Sequence, residues 1–260
     1  MLIDSFLEYL RLERNYSERT IVSYETDLRE FEEYFQEVDA GLDFKKIDAD
    51  IVRRWMVHLM DEGRAATSVN RKLSTLRSFY RFLLRRKEVV INPMLKVVGP
   101  KKKKPLPFFV REKDMDRLLD ESLFEEGFEG CRDRLILEMF YATGMRLSEL
   151  IGLNDADVDL SARLIKVTGK RNKQRLIPFG DEMEEDLLIY IKVRNETLPE
   201  GTKAFFVRKN GMRMYPLQVY RLVRKSLSKV VTLKKRSPHV LRHTFATAML
   251  NGKAEMRAGK

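Results

Sequence analysis

The sequence predicts a mainly α protein with one small β-sheet, divided into an all-helical N-terminal domain and an α+β second domain. Three observations carry that expectation. Apolar residues recur at three- and four-residue steps through residues 1–90, the mark of amphipathic helices. A proline- and lysine-rich stretch, residues 91–107, then shows no periodicity. Beyond it, over residues 108–260, helical patterns alternate with two short β-type runs around a Gly-Lys turn.

The elements follow in order. Phe6, Leu7 and Leu10, with Tyr9 beside them, give a first short apolar face. Ser17 caps a second helix carrying Ile21, Tyr24, Leu28, Phe31 and Phe35. A third starts near Asp48 or Asp50, runs through Ile51, Trp55, Met56 and Leu59, and stops at Gly63. The fourth starts near Thr67 and has two contrasting sides. Val69, Leu73, Leu76, Tyr80 and Leu83 form one; Asn70, Ser74, Arg77, Arg81 and Arg85 form the other. Such a helix either lies along a groove or across phosphates, or is an amphipathic surface helix with solvated arginines.

Asn92-Pro93, Gly99-Pro100, Lys101, Lys102, Lys103, Lys104 and Pro105-Leu106-Pro107 then break the pattern. Proline prevents helix continuation and favours extended backbone, so this reads as a linker between domains. Its four lysines suit a path over a phosphate backbone. Further on, helices are expected over Glu112–Leu123, Cys131–Tyr141 and Glu182–Val193, strands over Arg163–Thr168 and Gln174–Pro178, and a short extended piece over Ala204–Val207. Two more helices are expected, from Pro216 to Lys229 and from about Pro238 to Leu250.

The formal net charge is +11, and its distribution says more than its size. From Lys203 to Lys260, fifteen lysines and arginines face one acid, Glu255; from Arg71 to Lys104, twelve face one acid, Glu88. The remainder of the chain is therefore net acidic. Two basic blocks on an acidic body are the footprint of a polyanion-binding surface. Double-stranded DNA is the first partner to expect, an anionic membrane surface the competing one, and solvated charge the plain alternative. No segment approaches the roughly 18 consecutive apolar residues of a spanning helix. The opening Met1-Leu2-Ile3-Asp4-Ser5 lacks the layout of a secretory signal. A single cysteine, Cys131, excludes an intrachain disulfide and a cysteine-based metal cluster. A cytoplasmic protein without a membrane partner is expected.

Three local patterns carry chemistry. In Thr143-Gly144-Met145-Arg146-Leu147-Ser148-Glu149-Leu150 a helix ends at the glycine and another begins at an arginine. An arginine there opposes the helix dipole, unless it and the helix N-terminus hold an anion together. Gly169-Lys170-Arg171-Asn172-Lys173 presents lysines at a tight turn. In Ser237-Pro238-His239-Val240-Leu241-Arg242-His243-Thr244, His239 and Arg242 leave one helix face at i and i+3, with His243 close to it. The two histidines suggest zinc, but no acidic or cysteine ligand lies near them in sequence, so no metal is expected.

In this order and spacing the three patterns resemble those of the tyrosine recombinases, or phage-type integrases, over nearly the whole chain. Thr-Gly-Met-Arg-Leu-Ser-Glu-Leu is similar to the family's first arginine motif, the hairpin to its lysine motif, and Pro-His-Val-Leu-Arg-His-Thr-Phe-Ala-Thr to its His-x-x-Arg motif. The compact length looks most like the Xer-type site-specific recombinases of chromosome partition, although mobile-element integrases share the motifs. The resemblance implies a SAM-like core-binding domain, a catalytic domain, and chemistry without metal, ATP or other cofactor. A tyrosine hydroxyl attacks one DNA phosphate, leaving a 3′-phosphotyrosine and a free 5′-hydroxyl. Arg146 and Arg242 would hold the nonbridging oxygens, Lys170 would protonate the departing oxygen, and His239 would assist proton movement, with Glu149 and His243 supporting. Arg77, Arg81, Arg85 and the linker lysines would contact DNA. Other recombinase subunits, four on paired sites, are implied as partners, on the nucleoid.

One departure stands out. The family places a further His or Trp, and then its tyrosine, after the His-x-x-Arg helix. Here His243 is the last histidine, Trp55 the one tryptophan, and Tyr220 the last tyrosine, which reads as a packing residue. The tail from Asn251 to Lys260 follows the family pattern and stops within it. The expectation is a recombinase with most of its active site, without its nucleophile or subunit-docking helix and inactive for cleavage in this 260-residue form, or a non-catalytic protein occupying recombination sites.

Overall fold

Side-chain caps and apolar stripes account for the first four helices of this computed structural model: α1 (Leu2–Leu12), α2 (Glu18–Val38), α3 (Ala49–Asp61) and α4 (Ala66–Arg85). Ser17 Oγ accepts from Thr20 N, and Asp48 Oδ1 from the N–H groups of Asp50 and Ile51, donors that have no partner inside their helices. These helices form one unit, Met1–Pro105; a second runs Leu106–Lys260. The structure describes residues 2–102, 108–169, 172–198, 202–231 and 236–258, with backbone only for 121 and 251–258.

The apolar side of α4 fills the first core: Val69, Leu73, Leu76, Tyr80 and Leu83 are buried. Around it gather Phe6, Phe31, Phe35, Phe44, Trp55 and Phe79, with ring centroids 4.7 Å apart for Phe31–Trp55 and 4.9 Å for Phe44–Phe79. Each such side chain contributes about 1.5–3 kcal/mol on burial. Tyr80 keeps its hydroxyl satisfied by donating to Phe44 O at 3.0 Å.

The polar side of α4 does more than meet solvent. Asn70 Nδ2 donates to Pro100 O at 2.8 Å and Arg77 Nη2 to Val97 O at 3.1 Å. They hold the following segment against the helix. The stretch expected to be an aperiodic connection therefore starts as part of the first unit. Asn92 caps a short 3-10 helix, Pro93–Lys96, and Met94 and Val97 enter the core. Their apolar side chains give the backbone a reason to fold back that proline content alone did not reveal.

The second unit contains α5 (Glu112–Leu118), α6 (Phe128–Thr143), α7 (Leu147–Gly152), β1 (Val158–Asp159), β2 (Leu164–Thr168), β3 (Gln174–Pro178), α8 (Asp181–Thr197), α9 (Pro216–Val230) and α10 (Pro238–Ala258). The strands form an antiparallel sheet in the order β1-β2-β3. Helix α6, with Leu135, Ile136, Leu137, Met139 and Phe140 all buried, is the centre against which α8, α9 and α10 pack. The class is the expected one, mainly helical with a small sheet. The helix expected over Glu112–Leu123 instead stops at Leu118. Asp120 Oδ1 takes Ser122 N, a local bond that competes with helical pairing, and a 3-10 turn follows. The Ala204–Val207 segment makes only isolated bridges, Ala204 with Asn154 and Val207 with Arg213. Among the described residues no helix is long and apolar enough to cross a membrane.

Candidate active site

The site begins at the end of α6. Gly144 closes that helix at φ +56°, and a Cβ there would lie 2.2 Å from Phe245 Cδ1 on α10. Glycine is thus required both by the left-handed backbone and by the close approach. Gly144 O also accepts a hydrogen bond from Arg242 Nη1. One turn of backbone is therefore gripped by two side chains of α10, and that grip carries Arg146, two residues on, to the neighbourhood of Arg242. Burial, and then the nearby Arg146 guanidinium, push Arg242 below its ordinary value.

Arg146 is the N-cap of α7, and Glu149 answers it from the third position. Glu149 Oε2 accepts from Arg146 N at 2.7 Å, and Oε1 from Arg146 Nη1 at 2.8 Å. Arg175 on β3 completes the set: Nη1 donates to Oε1 at 2.8 Å and Nη2 to Oε2 at 2.9 Å. Burial alone would raise the Glu149 carboxyl, but the bonds from Arg175 and from Arg146 outweigh it and hold it at about 2. The far end of α7 is fixed too, because Arg213 Nη1 donates to Leu153 O at 2.8 Å.

The β2–β3 hairpin starts beside this cluster. Gly169 N donates to Lys173 O at 2.7 Å, and a Cβ on Gly169 would lie 3.2 Å from Glu149 Oε1 and 3.9 Å from Arg146 Nη1. The chain leaves this point as Lys170, which lies outside the described residues. Three arginines around one carboxylate leave an excess of positive charge in a partly desolvated place, an arrangement that suits a phosphate.

Residues 3–87 match the phage integrase N-terminal SAM-like domain, and residues 109–258 match the phage integrase family. The chain belongs to the phage integrase family, the tyrosine recombinases. It is 38% identical to the tyrosine recombinase XerC of Chlorobaculum tepidum, across 98% of this chain and 84% of that protein. It is 36% identical to XerD of Staphylococcus haemolyticus, across 99% and 87%. Among solved structures, the XerH site-specific recombinase bound to palindromic difH has a TM-score of 0.75 at 20% identity, covering 97% of this chain and 74% of that one. A transposon integrase in complex with circular intermediate DNA has a TM-score of 0.73 at 21% identity, covering 96% and 87%. These likenesses show the integrase fold.

Within this integrase fold the structure brings together Arg146, Glu149 and Arg242. His239, in the first turn of α10, is exposed, and so is His243. Thr244, next on that helix, is buried and accepts from Val110 N at 2.9 Å, pinning the segment before α5 to α10. On α4, Arg81 and Arg85 are exposed, Arg81 Nε donating to Arg77 O and Arg85 Nη1 to Tyr9 OH at 2.8 Å. Lys101 and Lys102 are exposed, while Lys103 and Lys104 lie outside the described residues. Tyr220, expected to pack, is 39% exposed on α9, because its helix buries Val219 and Val223 instead. The residue that sequence reasoning missed is Arg175. Register shows the signal: Arg175 pairs with buried Val167, and Ile177 with buried Ile165, so the arginine shares the sheet face of those core residues although its own side chain stays 40% exposed.

Proposed function

We propose that this chain is a site-specific recombinase subunit that binds double-stranded DNA through both units and holds one phosphodiester between Arg146 and Arg242. One observation carries the reading. Each of these arginines has one terminal nitrogen committed, Arg146 to Glu149 and Arg242 to Gly144 O, and among the described residues nothing takes the other. Two guanidinium edges left open at one place fit the two nonbridging oxygens of a phosphate, where charge accumulates in the transition state. In the family's chemistry Lys170 would protonate the departing 5′-oxygen and His239 would serve the nucleophile, with His243 beside it. The phosphotyrosine link conserves the bond energy, so no cofactor is called for.

Arg77, Arg81, Arg85, Lys101, Lys102, Lys103 and Lys104 would contact the DNA backbone, and other recombinase subunits on paired sites, within the nucleoid, are the proposed partners. The DNA-bound state of the XerH and transposon relatives supports this reading. A non-catalytic role, occupying recombination sites, is the second reading. The test of DNA binding is salt. With on the order of six to ten phosphate contacts, duplex affinity should fall about 10³–10⁵-fold from 50 to 200 mM salt. A flat profile would remove the DNA clamp from the proposal.

A further inference from the structure

We infer that Arg175 is a positioning residue: by filling both oxygens of Glu149 it prevents that buried carboxylate from capturing Arg146, and so keeps Arg146 available to a phosphate. The inference rests on the proposed reading of Arg146 and Arg242 as the phosphate-holding pair.

The three arginines differ in how their nitrogens are used. Arg175 commits both terminal nitrogens to Glu149, at 2.8 and 2.9 Å, in a two-pronged pairing. It has no open terminal edge for a ligand. Arg146 commits one nitrogen to Oε1, while Oε2 is taken by its backbone N–H and by Arg175. Glu149 is buried, so it needs a full set of donors. Without Arg175, the only side-chain donor left to it among the described residues is Arg146, which would swing both nitrogens onto the carboxylate. Arg146, Arg175 and Arg242 against Glu149 leave a formal charge of about +2, whereas removal of Arg175 leaves about +1. A lysine at this position could carry the charge but could not span both oxygens. The same pairing ties β3 to α7, and Gly169 meets Glu149 at the mouth of the hairpin. Arg175 therefore also sets where the segment bearing Lys170 leaves the sheet.

The test uses the whole chain and inorganic phosphate as probe, with binding read from the amide resonances of Gly144 and Gly169 and folding from thermal unfolding. Arg175→Ala should weaken phosphate binding about tenfold, and Arg175→Lys should recover only part of that loss. The double variant Arg175→Ala, Glu149→Gln should return to within about threefold of the parent chain, because the competing anion is gone. A residue that merely stapled α7 to β3 would show no such rescue. A double variant as weak as Arg175→Ala, or an Arg175→Ala that binds phosphate normally, overturns the inference. If Arg175→Ala does not fold, Arg175→Lys decides: weaker binding with an unchanged unfolding midpoint supports the role, and unchanged binding refutes it. Arg242→Ala tests the site separately. Phosphate binding that ignores Arg242 would refute the reading of the site itself.

Discussion

Two buried carboxylates, one in each unit, collect basic donors in nearly the same way and end in different electrostatic states. Asp27 on α2 accepts from Arg71 Nη2 at 2.7 Å and Nη1 at 2.5 Å, from Lys72 Nζ at 3.2 Å, and from Thr75 Oγ1 at 2.8 Å. Lys72 also pairs with Glu30, so two cations meet two anions and the cluster is neutral. Glu149 likewise takes four donors, yet two arginines and the neighbouring Arg242 surround that single carboxylate. The first cluster is complete and joins α2 to α4. The second is left with excess charge, which is unfavourable until an anion arrives. Counting ion pairs would rank the two alike; counting what remains unpaired separates scaffold from site.

The sharpest way to break this comparison is to remove each anchor. Asp27→Ala should cost the first unit about 3–5 kcal/mol, because buried Lys72 would keep only Glu30 as an anion among the described residues, Arg71 would lose its carboxylate, and buried Thr75 would lose its acceptor. Chemical denaturation measures it, and a loss below 1 kcal/mol would show that the cluster is incidental. Arg146→Ala and Arg242→Ala should act on chemistry instead. In a form carrying the family's nucleophilic tyrosine, each should slow strand cleavage about 10²–10³-fold with duplex affinity little changed. Equal losses in cleavage and affinity would make these arginines ordinary backbone contacts.

Acid offers a gentler probe of the same contrast. Glu149 is held at about 2, below its ordinary 4.5, so the stability it contributes is present above pH 4.5 and is lost as pH falls toward 2. Glu138 on α6 behaves oppositely. Burial and the Asp186 carboxylate push it well above the ordinary range, so its contribution is present below pH 4.5 and declines as pH rises. Glu149→Gln should flatten the acid limb of the second unit's unfolding profile and Glu138→Gln the neutral-to-alkaline limb. An unchanged profile in either variant would count against that assignment.

The sequence made the helices and the family legible because both rest on local information. Ser17 and Asp48 announce helix starts, the α4 stripe announces a core face, and Thr-Gly-Met-Arg and His-x-x-Arg announce the recombinase motifs. What stayed hidden was cross-chain. Arg71 and Lys72 counted as free charge in a basic block until Asp27 and Glu30 appeared opposite them. Arg175 looked like one polar residue in a short strand, since its place on the core residues' face of the sheet depends on pairing with Val167. Met94 and Val97 sat in a stretch whose prolines suggested only a connection. Periodicity reports which face a residue occupies within its own element; it does not report what meets that face.

The smallest expected effect concerns Tyr220. Attack on a phosphodiester needs a nucleophile close to in line with the leaving oxygen. Tyr220 lies on α9, exposed, whereas Arg242, proposed to hold the phosphate, is on α10 beyond it, and the family's tyrosine follows that helix. The 260-residue chain alone should therefore give no covalent adduct with a nicked suicide duplex, read as a shifted band on a denaturing gel. Tyr220→Phe should leave duplex affinity unchanged within about twofold, since it deletes only a hydroxyl from an exposed side chain, a change usually worth less than about 0.5 kcal/mol. An adduct from the parent chain that disappears in Tyr220→Phe would show α9 delivering the nucleophile. The open edges of Arg146 and Arg242 would then have to be approached from that helix.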